Sequence, residues 1–422
     1  MSARIARLRA YEILDSRGRP TVEAEVELDD GTLARASVPS GASTGRHEAV
    51  EVRDGDPARF GGRGVLRAVA AVDGEIAARL HGMDAREREA IDAALVELDG
   101  TPDRSRLGGN AILAASVATA RAGALSRGVP LWEHLGGIGR PLPRPMVNAL
   151  SGGLHAGRSV DLQDYLAIPL AAETFPQAIA QVAAVLAALA VELDERGRTL
   201  LRADEGGFAA SGGNEDGLDL LTRAIERAGL RPGEDIGIGL DVAASHFAAD
   251  GGYRLAADDG AIDAAAWSSR LAGWVERHPI VSVEDPFGED DWASWPAFTA
   301  QVGDRVQVIG DDLLCTQLDR LDRAIRERSA NAVLIKANQV GTLSEALAVA
   351  ERAAGAGWRR VVSARSGETE DDWLADLAIA AGPAQLKVGS LTQSERLAKY
   401  NSLLRESARR PDGGALAPWG DA

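Results

Sequence analysis

The chain is poor in cysteine and in lysine. Among 422 residues there is one cysteine, Cys315, and only three of the 46 Lys+Arg are lysine: Lys336, Lys387 and Lys399. A single cysteine excludes an internal disulfide and any Cys-rich metal site, and it reads as a small buried hydrophobe rather than a nucleophile. Positive charge is short overall: 46 Lys+Arg stand against 63 Asp+Glu, a formal net charge of −17. A basic stripe of the kind that nucleic acid or an anionic membrane needs is therefore not expected. Long apolar runs are also scarce. Met1 to Arg9 hold no apolar core of signal-peptide type. The most apolar stretch, Ala178 to Val191, is interrupted by Gln181 and is expected to be a buried Ala-rich helix, too short to span a bilayer. With 45% hydrophobic and 26% charged residues, an ordinary globular, cytoplasmic chain is expected.

What is present falls into two rhythms. In Thr21 to Leu28, Val22, Ala24, Val26 and Leu28 alternate with Glu23, Glu25 and Glu27, the period of a half-buried strand. Asp29-Asp30-Gly31 supplies a turn, and Leu33 to Val38 returns as its partner. Helical patterns follow over Val65–Leu80, Ala85–Leu98 and Asn110–Arg127, the last stopped by Gly128 and Pro130. Residues 1–138 are thus expected to form an α+β domain, ending in the linker-like Arg140-Pro-Leu-Pro-Arg-Pro145.

Residues 139–422 change period. Short apolar runs alternate with helical stretches: Ile236–Asp241, Ile280–Glu284, Val306–Asp311, Ala332–Lys336, Arg360–Ser363 and Gln385–Lys387. Repeated strand–helix units imply a parallel sheet, and this many suggest a (β/α)8 barrel of TIM type. The residues closing the runs are Asp241, Glu284, Asp311, Lys336, Ser363 and Lys387. Barrel active sites lie at those strand ends. Three carboxylates arriving at one rim would repel one another without a cation between them, and hard oxygen ligands suit Mg²⁺. Lysine beside metal suggests abstraction of a proton next to a carboxylate. A lysine becomes a usable base once its surroundings disfavour its charge by about 3–4 kcal/mol. An arginine would need about 7 kcal/mol, which gives Lys336 a reason to resist replacement in an arginine-rich chain.

The chain resembles the enolase (phosphopyruvate hydratase) family from end to end. The likeness rests on Glu12-Ile-Leu-Asp-Ser-Arg-Gly18, Val38-Pro-Ser-Gly-Ala-Ser-Thr-Gly45, Asp204-Glu-Gly-Gly-Phe208, Ser282-Val-Glu-Asp-Pro286, Gly310-Asp-Asp312, Leu334-Ile-Lys-Ala-Asn-Gln339, Ser366-Gly-Glu-Thr-Glu-Asp371 and Ser394-Glu-Arg396 with Lys399-Tyr-Asn401. The pairing of a lysine base with Mg²⁺ is already the known pattern of that superfamily and is not a new deduction. The resemblance implies that Asp241, Glu284 and Asp311 bind the catalytic Mg²⁺ and that Lys336 takes the α-proton. It implies that Lys387 holds the substrate carboxylate, that Glu205 helps the hydroxyl leave, and that Arg365 and Ser366 touch phosphate. Ser43 matches a loop serine that binds a second Mg²⁺ and substrate, His155 an active-site histidine, and Gln163 and Asp164 the family's Gln-Glu pair. Two Mg²⁺ per active site, a phospho- or phosphono-carboxylate substrate and a homodimer or larger ring are expected on the same ground.

Two departures fall inside the matched site. Ala364 stands where the family has histidine, and Asp164 where it has glutamate; Tyr165, Ser151, Arg158, Ala210 and Gln393 are smaller changes. The kept residues serve proton abstraction, and the altered ones lie at the leaving-group and phosphate end. A specialised paralogue, such as a carboxyphosphonoenolpyruvate synthase of phosphonate biosynthesis, is therefore the alternative to an ordinary hydratase. A non-catalytic binding role is more remote, because lysine-recognising partners find almost no lysine here.

Overall fold

The computed structural model describes residues 3–41, 45–249, 251–258 and 260–420. The chain divides into two compact units. The first comprises Met1–Arg140, Ile335–Glu351 and Ala364–Gly382; the second comprises Pro141–Leu334, Arg352–Ser363 and Pro383–Ala422. The first break thus falls inside the Arg140–Pro145 stretch, and two later segments cluster with the N-terminal residues.

In the first unit, β1 (Ile5–Leu14), β2 (Pro20–Leu28) and β3 (Leu33–Ser37) form an antiparallel sheet in that order. Val22, Ala24, Val26 and Leu28 are buried, as the alternation requires. The sequence pattern does not announce β1, because a register shift between Ile5 and Arg7 breaks its alternation. Helix α1 (Arg88–Asp99) ends on Gly100 at φ 70°. Helix α2 (Gly109–Arg127) packs on β2 and β3, is buried almost all round, and ends on Gly128 at φ 69°.

The second unit is a closed barrel. Its strands are β4 (Arg144–Ser151), β5 (Asp164–Pro169), β6 (Ile236–Asp241), β7 (Ile280–Glu284), β8 (Gln307–Gly310), β9 (Ala332–Ile335), β10 (Arg359–Ser363) and β11 (Gln385–Gly389). They neighbour one another in that order, and β11 pairs back onto β4. The uniformly parallel sheet expected from the repeated units is corrected at one strand: β5 runs antiparallel to both β4 and β6. Two helices, α3 (Phe175–Glu195) and α4 (Asn214–Arg227), then follow in succession before β6. Met146, Leu166, Ile168, Ile309, Ala332, Leu334 and Val361 fill the centre.

Helix α3 is the buried Ala-rich helix expected over Ala178–Val191, but it is longer than that stretch. It is 21 residues long, and by length and composition it could cross a membrane. Thr174 caps it by accepting from Gln177 N, and Pro176 fits its first turn. Ala178, Val182, Val185 and Leu189 recur at helical spacing and are buried. That face packs on β4, β5 and α4, and Glu192 at its end receives Arg227 Nε at 2.6 Å. The helix is thus part of the barrel's outer layer.

Candidate active site

Strand register assembles the site. Glu284 pairs with Asp241, Asp241 with Asp164, and Asp164 with Ser151. Parallel β6 and β7 deliver their last residues to this rim. Antiparallel β5 delivers its first, so Asp164 joins the row of strand-end carboxylates. Ile309 pairs with Glu284, and Asp311, two residues on, follows the same side of the pleat.

Lys387 on β11 neutralises two of these groups. Its Nζ donates to Asp241 Oδ2 at 2.7 Å and to both Glu284 oxygens at 2.8 Å, all three side chains being buried. Burial, the largest influence, would push the ammonium's pKa down. Asp241 and Glu284 outweigh it and hold the pKa well above the ordinary lysine value. Gln163 Nε2 donates to Asp241 Oδ2 at 3.1 Å. Asp311 belongs to a second acidic group: ligand oxygens of Asp285, Asp311 and Asp312 lie within 4.8 Å of one another. Asp285 is a residue that reading strand ends alone missed. Its carboxylate accepts from the backbone N–H of Asp311 at 2.9 Å and of Asp312 at 2.8 Å, which fixes the turn carrying Asp311. Burial, reinforced by Asp312 and Asp311, pushes its pKa well up.

The all-oxygen group of Asp285, Asp311 and Asp312 is compact enough to hold a hard divalent cation, whereas Asp241 and Glu284, expected to share a cation with Asp311, converge on the Lys387 ammonium and lie outside that group. Ser43, the expected ligand of a second ion, lies outside the described residues.

A second cluster centres on His155, in the short turn Gly153–Ala156. Its Nδ1 lies 2.9 Å from Asp164 Oδ2, and its Nε2 lies 3.7 Å from Glu205 Oε1. Ser151 Oγ donates to Asp164 Oδ1 at 2.6 Å, and Asn148 Nδ2 to Glu205 Oε2 at 3.1 Å. Ser151 therefore serves the shortened carboxylate directly. Tyr165 places its hydroxyl on the Asn214 carbonyl at 2.6 Å. The Glu205 carbonyl accepts from Ser390 N at 2.8 Å, an approach that needs Gly389: a Cβ there, at φ +99°, would sit 2.7 Å from that oxygen.

Burial is the largest influence on His155 and would lower its pKa. Asp164 and Glu205 outweigh it and raise the pKa to about 9. Burial raises the carboxyl of Asp164. A histidine raised on folding stabilises the fold below its ordinary value of 6.5, and that contribution is lost as pH rises through about 9. The expected amount is on the order of 2–3 kcal/mol. Urea unfolding across pH 6–9.5 should show the loss, and His155→Gln should flatten it; an unchanged slope would contradict the charged imidazole.

The remaining expected residues are placed separately. Lys336 directly follows β9 and is half-buried. Arg365 and Ser366 follow β10 and are buried. Arg365 forms a two-pronged pair with Glu48, at 2.7 and 3.2 Å. Glu48 also accepts from Gln339 Nε2 and Gly45 N. The Ser366 carbonyl accepts from Ser16 Oγ at 3.2 Å. Lys399, the third lysine, is buried and donates to the Glu395 carbonyl at 2.8 Å, a structural use.

Comparison with protein families gives two matches. Residues 5–135 match the model described as "Enolase, N-terminal domain", and residues 140–413 match "Enolase, C-terminal TIM barrel domain".

Proposed function

Because the chain belongs to the enolase family, we propose that it is a Mg²⁺-dependent carbon–oxygen lyase acting on a 2-phosphoglycerate-like acid. The observation that carries this reading is the convergence of Asp241 and Glu284 on one cation at the ends of adjacent barrel strands. Lys336 removes the α-proton, and the electron pair of that C–H bond forms the double bond through an ene-diolate. Glu205 gives a proton to the departing oxygen on the next carbon, so that the C–O bond breaks and water leaves. His155, charged between Asp164 and Glu205, keeps that proton available. Lys387 faces the substrate carboxylate; Arg365, Ser366 and Gln163 complete its binding. Asp241, Glu284 and Asp311 would hold Mg²⁺ and Ser43 a second ion, supplying positive charge that acidifies the α-proton. The remaining elements of the proposal are a cytoplasmic homodimer or larger ring and a functional division into residues 1–138 and 139–422.

Asp164 and Ala364 favour a second reading, in which α-proton abstraction is retained and the leaving or incoming group differs, as in a carboxyphosphonoenolpyruvate synthase. A carboxylate shortened by one methylene moves a functional group by about 1 Å, enough to matter in catalysis. Incubation with Mg²⁺ and 2-phosphoglycerate in D₂O separates the two readings. Deuterium incorporation together with phosphoenolpyruvate formation is expected for the hydratase. Incorporation without phosphoenolpyruvate would select the paralogue, and neither would exclude this substrate.

A further inference from the structure

A cavity of about 320 Å³ opens beside the turn that carries His155, within the second unit. That volume is within the range of small-ligand sites. Its walls are apolar at Leu154, Val160 and Phe247, and it holds two arginines, Arg158 and Arg254. Among the described residues neither guanidinium has a carboxylate partner; Arg158 Nη1 only approaches the His246 carbonyl at 3.5 Å. The one acid at the wall, Asp161, is already engaged: it accepts from Ala256 N at 2.8 Å, Ala257 N at 3.0 Å and Asn214 Nδ2 at 2.9 Å.

Two further observations point to a ligand. Arg158 sits at φ +61°, a conformation that costs energy for a residue with a side chain and is typically kept where function needs it. His246, also at the wall, has its Nδ1 buried with no hydrogen-bond partner. Burial holds its imidazole below the ordinary histidine range, and the charges of Asp241, Arg158, His155 and Asp311 act on it as well. The cavity adjoins the acid–base cluster, because Gly153 and Leu154 at its wall share the short turn that carries His155.

We infer that this cavity is a subsite for an anionic oxygen group, phosphonate or carboxylate, carried on a short apolar stem, with Arg158 and Arg254 binding the anion and Leu154, Val160 and Phe247 covering the stem. The inference deepens the lyase reading, since it places a second anionic end of the substrate at the side where Asp164 departs from its family.

The test uses binding alone, so it stands apart from turnover. Isothermal titration calorimetry is run on the full chain in EDTA at low salt, with butylphosphonate, methylphosphonate and pentanoate as probes. Butylphosphonate or pentanoate should bind, and whichever binds more tightly identifies the anion. Methylphosphonate should bind more weakly than butylphosphonate, by up to about fourfold per methylene buried. Arg158→Gln and Arg254→Gln should each weaken the better probe about 5–10-fold. Leu154→Trp, which fills the space without changing charge, should weaken it at least as much, with melting curves confirming that each variant is folded. Unchanged affinity in all three variants, or loss only in Arg365→Gln, would overturn the inference. Absence of deuterium exchange from 2-phosphoglycerate would exclude that substrate and leave these binding results standing.

Discussion

Lys336→Ala is expected to slow α-deuterium exchange by about 10⁴-fold, the upper end of what one positioned base contributes. The reason lies in the chain's own composition. Arginine serves almost every cationic position, and a guanidinium gives up its proton far too reluctantly to act near neutral pH. Lys336→Arg should therefore lose nearly as much as Lys336→Ala while keeping the charge. Melting curves of both variants separate the loss of the base from any loss of fold. On the proposed ligand set of Asp241, Glu284 and Asp311, Mg²⁺ binding should persist in both. Exchange within tenfold of the parent in Lys336→Arg would assign the base to another residue.

Parallel strands deliver their last residues to one rim, which makes Asp241 and Glu284 at the ends of β6 and β7, and Asp311 just past β8, legible in the sequence; Lys387, expected to close its run, lies inside β11, which continues to Gly389. The rule fails where a strand runs the other way. Asp164 opens an antiparallel strand, so its arrival beside Asp241 depends on topology that no local pattern encodes. Only its position in a family motif singled it out. Asp285 acts through two backbone amides 26 and 27 residues away, a contact fixed by tertiary structure. Strand β1 is hidden by its register shift, and α3 extends past the apolar stretch Ala178–Val191 at both ends, through Gln177, Glu192, Asp194 and Glu195, residues that an apolar count does not include. The cavity of Arg158, His246 and Arg254 gathers residues from separate segments, and nothing in their spacing announces it.

Replacing Lys387 by methionine should make the stability of the protein depend on Mg²⁺. In the described structure, two buried carboxylates share this one ammonium at 2.7–2.8 Å. Removing one partner of a buried ion pair typically costs about 3–5 kcal/mol, because the remaining charge is left in a medium that solvates it poorly. Here two charges of the same sign would be left, so the cost should lie at the upper end. The lysine's pKa is raised on folding, so its stabilising contribution is fully present below its ordinary value near 10.5 and is lost only as pH rises further. Mg²⁺ restores a cation between Asp241 and Glu284, and binding to the folded state alone stabilises by mass action. Thermal unfolding of Lys387→Met in EDTA should fall well below the parent and recover as Mg²⁺ is added. The parent should gain less from the metal, since its own ammonium already meets those carboxylates. A variant as stable as the parent in EDTA, or one indifferent to Mg²⁺, would overturn the proposal that Asp241 and Glu284 are paired metal ligands. Glu284→Gln in the same background tests the cause: it removes one of the two opposed charges, so it should recover part of the stability in EDTA and abolish most of the gain from Mg²⁺.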